Sequence, residues 1–89
     1  MTHIVKRRGH KEEYDERKVY ASAYAACLNV HLSETEAEEI ATQVAKEVSL
    51  WVDGKTEMTS QEIFDQIKEE LARKNKDAAF MYETHRDVS

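Results

Sequence analysis

Two stretches of this chain signal a helix start in the same way, and together they restrict the fold more than any other feature. Ser33-Glu34-Thr35-Glu36 and Thr59-Ser60-Gln61-Glu62 each set a hydroxyl residue three positions ahead of a glutamate, the pattern of a capping box. Leu32 with Ala37, and Met58 with Ile63, flank the boxes as hydrophobic staples. After the first box, Ala37, Ile40, Ala41, Val44, Ala45 and Val48 recur at i, i+3, i+4 spacing, and the run ends near Trp51-Val52, before the turn dipeptide Asp53-Gly54. After the second, Ile63, Phe64, Ile67 and Leu71 trace an inner face. Two well-started amphipathic helices must bury their stripes against something, so the rest of the chain has to supply partners.

Those partners are predicted on either side. Asp15 can cap a helix to about Leu28, with Val19, Tyr20, Ala23, Ala26 and Cys27 inward, and Asn29 to Leu32 breaks it. The polar run Arg73-Lys74-Asn75-Lys76-Asp77 leads to a last helix with Ala78, Ala79, Tyr82 and His85 as its inner positions. Ahead of all four, residues 3–14 read as a β-hairpin, with β-branched Ile4 and Val5, a turn at Arg8-Gly9-His10, and Tyr14 on the return limb. So small a hairpin must lie on something else. The expected architecture is α+β: a small four-helix bundle over residues 15–88, covered by the N-terminal hairpin, with a third strand allowed at 53–58. Residues 1–89 form one domain on this reading.

At 89 residues, 40% of them hydrophobic and 35% charged, the core is thin. A chain of this size hides only roughly 60–65% of the surface it exposes when unfolded. That favours a binding or regulatory module over an enzyme with a deep pocket. The lone Cys27 excludes a disulfide framework and a cysteine-cluster zinc site, which points to a reducing, cytoplasmic setting. Its alanine-rich surroundings suit a buried, inert thiol. No apolar run approaches the roughly 18 residues of a membrane span. The four histidines are scattered without metal-ligand spacing, and the pairs Glu38-Glu39 and Glu69-Glu70 read as solvated helix faces.

The net charge of −5 disfavours nucleic acid as a partner. It hides an uneven distribution. Residues 1–18 carry six basic side chains against four acidic, whereas the remainder carries seven against fourteen. A cationic start on an anionic body suits a local anion site, and equally a charged, aggregation-resistant edge strand. With two glycines the chain cannot build a Walker-type phosphate loop, so any triphosphate must be held by side-chain cations such as Lys6, Arg7 and Lys18.

The run Val5-Lys6-Arg7-Arg8-Gly9-His10-Lys11-Glu12-Glu13-Tyr14-Asp15-Glu16-Arg17-Lys18-Val19 resembles the opening of an ATP-cone domain. Met58 to Ile63 resembles the start of that family's third helix, and Ala79 to Arg86 its closing helix. Such domains sense nucleotides at the N-terminus of many ribonucleotide reductase large subunits and in the bacterial repressor of reductase genes. The resemblance spans about residues 3–87. It implies that Val5, Lys6 and Arg7 line the nucleotide, the two cations on its phosphates. It further implies that Glu12 and Asp15 lie beside the adenine, that Lys18 reaches the phosphates, and that Thr59 or Ser60 meets the nucleotide at a helix start. Arg86 matches a C-terminal basic position. ATP or dATP is the implied effector, with Mg²⁺ riding on the triphosphate.

Each role has a structural competitor. Arg7 can pair with Glu12 or Glu13, Lys18 with acids of its own helix, and Asp15 and Thr59 are sufficiently explained as caps. Arg8 in place of the family's Asp, His85 in place of an aromatic hydroxyl, and Phe64 in place of a ribose-reaching polar residue bear on ATP-versus-dATP preference. The resulting expectation is a non-catalytic regulatory domain, standing alone or cut from a larger protein, that controls a partner such as ribonucleotide reductase. Self-association switched by nucleotide is part of the implied family behaviour. The missing cysteine pairs speak against an intact repressor. The alternative is a ligand-free interaction module that uses the acidic face of Glu34, Glu38 and Glu39.

Overall fold

The capping signals are honoured in the computed structural model, which describes residues 3–5 and 11–84. Its elements are β1 (His3–Val5), β2 (Lys11–Glu13), α1 (Glu16–Asn29), α2 (Glu34–Val52), β3 (Glu57–Thr59), α3 (Ser60–Lys74) and α4 (Lys76–Thr84). The chain is therefore mostly helical α+β, with four helices and three short strands among the described residues.

At the start of α3 the box closes fully. The Thr59 hydroxyl accepts the Glu62 N–H at 3.1 Å, and the Glu62 carboxylate accepts the Thr59 N–H at 3.1 Å. At α2 it closes by half. The Ser33 hydroxyl accepts the Glu36 N–H at 3.2 Å, but the Glu36 carboxylate takes the Ser33 O–H instead of the backbone. Asp15 caps α1 as expected, accepting from the Arg17 N–H at 2.9 Å. The α1–α2 turn contains His31 in the left-handed region, at φ 66°.

The polar run at residues 73–77 is shorter as a break than its composition suggests. Asn75 alone separates α3 from α4: its N–H donates to the Leu71 carbonyl at 2.7 Å, and its side-chain oxygen accepts the Ala78 N–H at 2.9 Å. One residue ends one helix and begins the next, so Arg73, Lys74 and Lys76 stay helical.

The three strands form one sheet in the order β2-β1-β3. The expected hairpin strands pair antiparallel, Ile4 opposite Glu12, and Tyr14 falls just beyond the return strand. The third strand is real but later than residues 53–58. It covers Glu57–Thr59 and pairs with β1 in parallel, Ile4 opposite Met58 and Val5 opposite Thr59. Ile4 and Met58 are buried while His3, Glu57 and Thr59 are exposed, the period-two alternation of a sheet with one covered face. The expected turn at residues 8–10 lies outside the described residues.

The core joins Ile4 and Met58 to the helix stripes, with Leu71, Val44, Val48 and Cys27 fully buried. Helices touch in the cyclic order α1, α2, α3, α4 and back to α1. Lengths are unequal, from nine residues in α4 to nineteen in α2. One polar assignment is corrected. Glu70 is not on a solvated face but only 6% exposed, its carboxylate 3.4 Å from both Arg73 Nη1 and Gln66 Nε2. A buried carboxylate needs such partners, and a helix places them at i+3 and i−4.

Candidate functional site

A cleft of about 150 Å³ opens where β1 meets the first turns of α1 and α3. Its two helical walls follow the same arithmetic. Asp15, Lys18 and Ser22 on α1 and its cap, and Ser60, Ile63 and Ile67 on α3, each step by three and then four residues. That spacing keeps three side chains on one helix face. Val19, Ile4 and Tyr14 complete the lining. The walls are largely apolar, with polar groups at the helix starts, the usual division of labour in a ligand site.

Of the residues singled out from sequence, the fold brings Asp15, Lys18 and Ser60 to this cleft. The Asp15 carboxylate is already engaged: besides capping α1, it takes Arg17 Nε and Nη2, both at 3.2 Å. The side-chain hydrogen bonds from Arg17 hold its pKa below the ordinary carboxylate value. Lys18 is exposed at the rim. Ser60 opens α3, whose first amides carry the partial positive charge of a helix N-terminus. Thr59 is adjacent in chain but is not among the residues lining this cleft, its hydroxyl donating to Glu62 Oε1 at 3.1 Å. Its structural competitor role is thus fully realised.

Val5 and Glu12 are placed by backbone alone. Glu12 stands opposite Ile4, and Val5 stands between Lys11 and Thr59. The second pairing sets the end of β1 beside the residue that caps α3. Lys6, Arg7 and Arg86 themselves lie outside the described residues, as does His85. Phe64 does not line the cleft; its ring stacks on Tyr82 instead.

Sequence reasoning missed Tyr14, Ser22 and the apolar walls. Ser22 was within reach, since it lies four residues beyond Lys18 on one face. Tyr14 was not, because its partner Ser49 is 35 residues away, the two hydroxyls sharing a hydrogen bond at 2.8 Å. Among the described residues no group of three or more histidine, cysteine or acidic side chains is placed to hold a metal ion. No helix there is long and apolar enough to cross a membrane.

The cleft is a candidate ligand site on a small, mostly helical α+β domain. The ATP cone domain family model matches residues 2–87, and the chain belongs to that family of nucleotide-sensing regulatory domains. The transcriptional repressor NrdR of Kosmotoga olearia is 33% identical over 89 residues, covering 96% of this chain and 55% of that protein. The chain thus spans about half the length of this relative.

Proposed function

We propose that the domain binds ATP or dATP as an effector, with the base or ribose in the α1–α3 cleft and the triphosphate towards the end of β1. The observation that carries this reading is the convergence of Lys18, Ser60 and the α3 N-terminus on one cleft, with β1 ending beside Thr59. At about 150 Å³ the cleft suits part of a nucleotide, since sites for whole drug-sized ligands usually run to roughly 300–1,000 Å³. Lys6, Arg7 and Lys18 are assigned to the phosphates, Lys as a point charge and Arg as a planar fork. Val5, Glu12, Asp15 and Ser60 surround the nucleoside. Arg86 is assigned a supporting phosphate role, and Mg²⁺ enters with the triphosphate rather than through a protein cage. Thr59 contributes by shaping the start of α3.

The regulatory output follows from differential affinity. A nucleotide that binds one packing of sheet and helices better than another shifts the population between them, and with it the surface offered to a partner. Ribonucleotide reductase, or the transcription of its genes, is the proposed target, with self-association as one form of response. Calorimetry with Mg²⁺ and ATP, dATP or GTP tests the reading: adenine-selective heat is expected, and no heat at millimolar nucleotide overturns it. The interaction-module alternative draws on Glu34, Glu38 and Glu39, all exposed on α2, and predicts that null result.

A further inference from the structure

We propose that Tyr14 is a positioning residue of this site, the one through which occupancy of the cleft reaches the last turn of α2; the proposal rests on the nucleotide reading above. Tyr14 stands at the junction of β2 and α1, half-buried, with its ring forming part of the cleft wall beside Asp15 and Lys18. The same residue lines a second, open hollow with Ser49, Val52 and the loop from Asp53 to Thr56. It is therefore a shared wall. Its hydroxyl meets Ser49 Oγ at 2.8 Å, and Ser49 lies in the final turn of α2.

A group entering the cleft meets a ring held by packing against the core and by that hydrogen bond. If the ring moves, the bond must stretch, break or carry Ser49 with it. The bound and free arrangements then differ at α2, which is the requirement for coupling two places through a ligand. Burial pushes the Tyr14 phenol above its ordinary pKa, so the hydroxyl stays neutral and able to bond across the physiological range.

The far end of this link has its own reporter. Trp51 is the chain's single tryptophan, two residues beyond Ser49, with Lys55 Nζ 5.2 Å from its ring centroid. A shift of the α2 terminus changes the ring's cationic neighbour and hence its emission.

The test pairs calorimetry with Trp51 fluorescence on the 89-residue chain titrated with Mg²⁺-ATP and Mg²⁺-dATP. In the unmodified chain, binding heat and a change in emission should rise together. Tyr14→Phe keeps the ring and removes only the hydroxyl. It should bind nucleotide within about tenfold of the original affinity yet lose most of the emission response. Ser49→Ala should do the same from the other side, which keeps the test decisive if one variant folds poorly. A merely structural role would lower both melting temperatures without separating heat from emission. Heat without an emission change in the unmodified chain, or a full response in both variants, overturns the coupling. Absence of heat in the unmodified chain overturns the nucleotide reading and the coupling with it.

Discussion

Phe64 stacks on Tyr82 with ring centroids 5.0 Å apart and planes inclined by 23°, and this contact ties the nine-residue α4 to α3. An α-helix of that length is marginal alone and depends on packing. The same stack explains why Phe64 is absent from the cleft.

Phe64→Ala should therefore destabilise the domain by about 3 kcal/mol, from lost burial and the cavity left behind. Phe64→Leu should cost about 1 kcal/mol by retaining most of the apolar volume. Urea denaturation checks both. A loss near zero for the alanine variant would mean that α4 is held by its other contacts.

Thr59 and Ser60 are neighbours with opposite assignments. Thr59→Ala should cost about 1 kcal/mol through loss of the capping box and weaken nucleotide binding less than Ser60→Ala does. Ser60→Ala should spare stability and weaken ATP. Denaturation and calorimetry on both variants separate the roles, and the reverse pattern would refute the assignment of Ser60.

The Asp15–Arg17 pair predicts a pH dependence of definite sign. The folded pKa of Asp15 is depressed below its ordinary value of 3.8, chiefly by hydrogen bonds from Arg17. Its contribution is fully present above 3.8 and is lost as pH falls through the folded value. Asp15→Asn keeps an N-cap of comparable quality but removes the charge. The variant should be less stable than the parent at pH 6, with the gap closing below pH 3.8. A gap that stays constant to about pH 2 would show that the charge has no part.

Cys27 is fully buried, and burial raises its thiol pKa, so both access and thiolate fraction are low. A thiol reagent should react on the order of 100-fold more slowly with the native chain than in denaturant, at a rate set by opening of the core. Comparable rates in the two conditions would contradict an inert core thiol.

His31 adopts a conformation that glycine takes with less strain. His31→Gly should raise stability by roughly 0.5–1 kcal/mol if the turn geometry persists. Thermal denaturation gives the answer directly, and a fall in the melting temperature would count against it.

What the amino-acid sequence determined by itself was local. The starts of α1, α2 and α3 were legible because Asp15, Ser33 and Thr59 satisfy backbone amides within three residues of themselves. The buried stripes were legible because helix geometry repeats within one turn. The single-residue break at Asn75 was not, since one residue whose backbone N–H ends a helix and whose side chain caps the next does not change the composition around it. Only tertiary structure decided that β3 joins β1 in parallel, that Tyr14 reaches Ser49, and that Asp15 and Ser60 face one cleft. Each joins residues more than thirty positions apart, and such pairings depend on how the whole core closes rather than on any local preference. The cations nearest the start of the chain were visible as a charge imbalance. The pairing of Val5 with Thr59 brings the end of β1 to the start of α3, another contact that only the closed core decides.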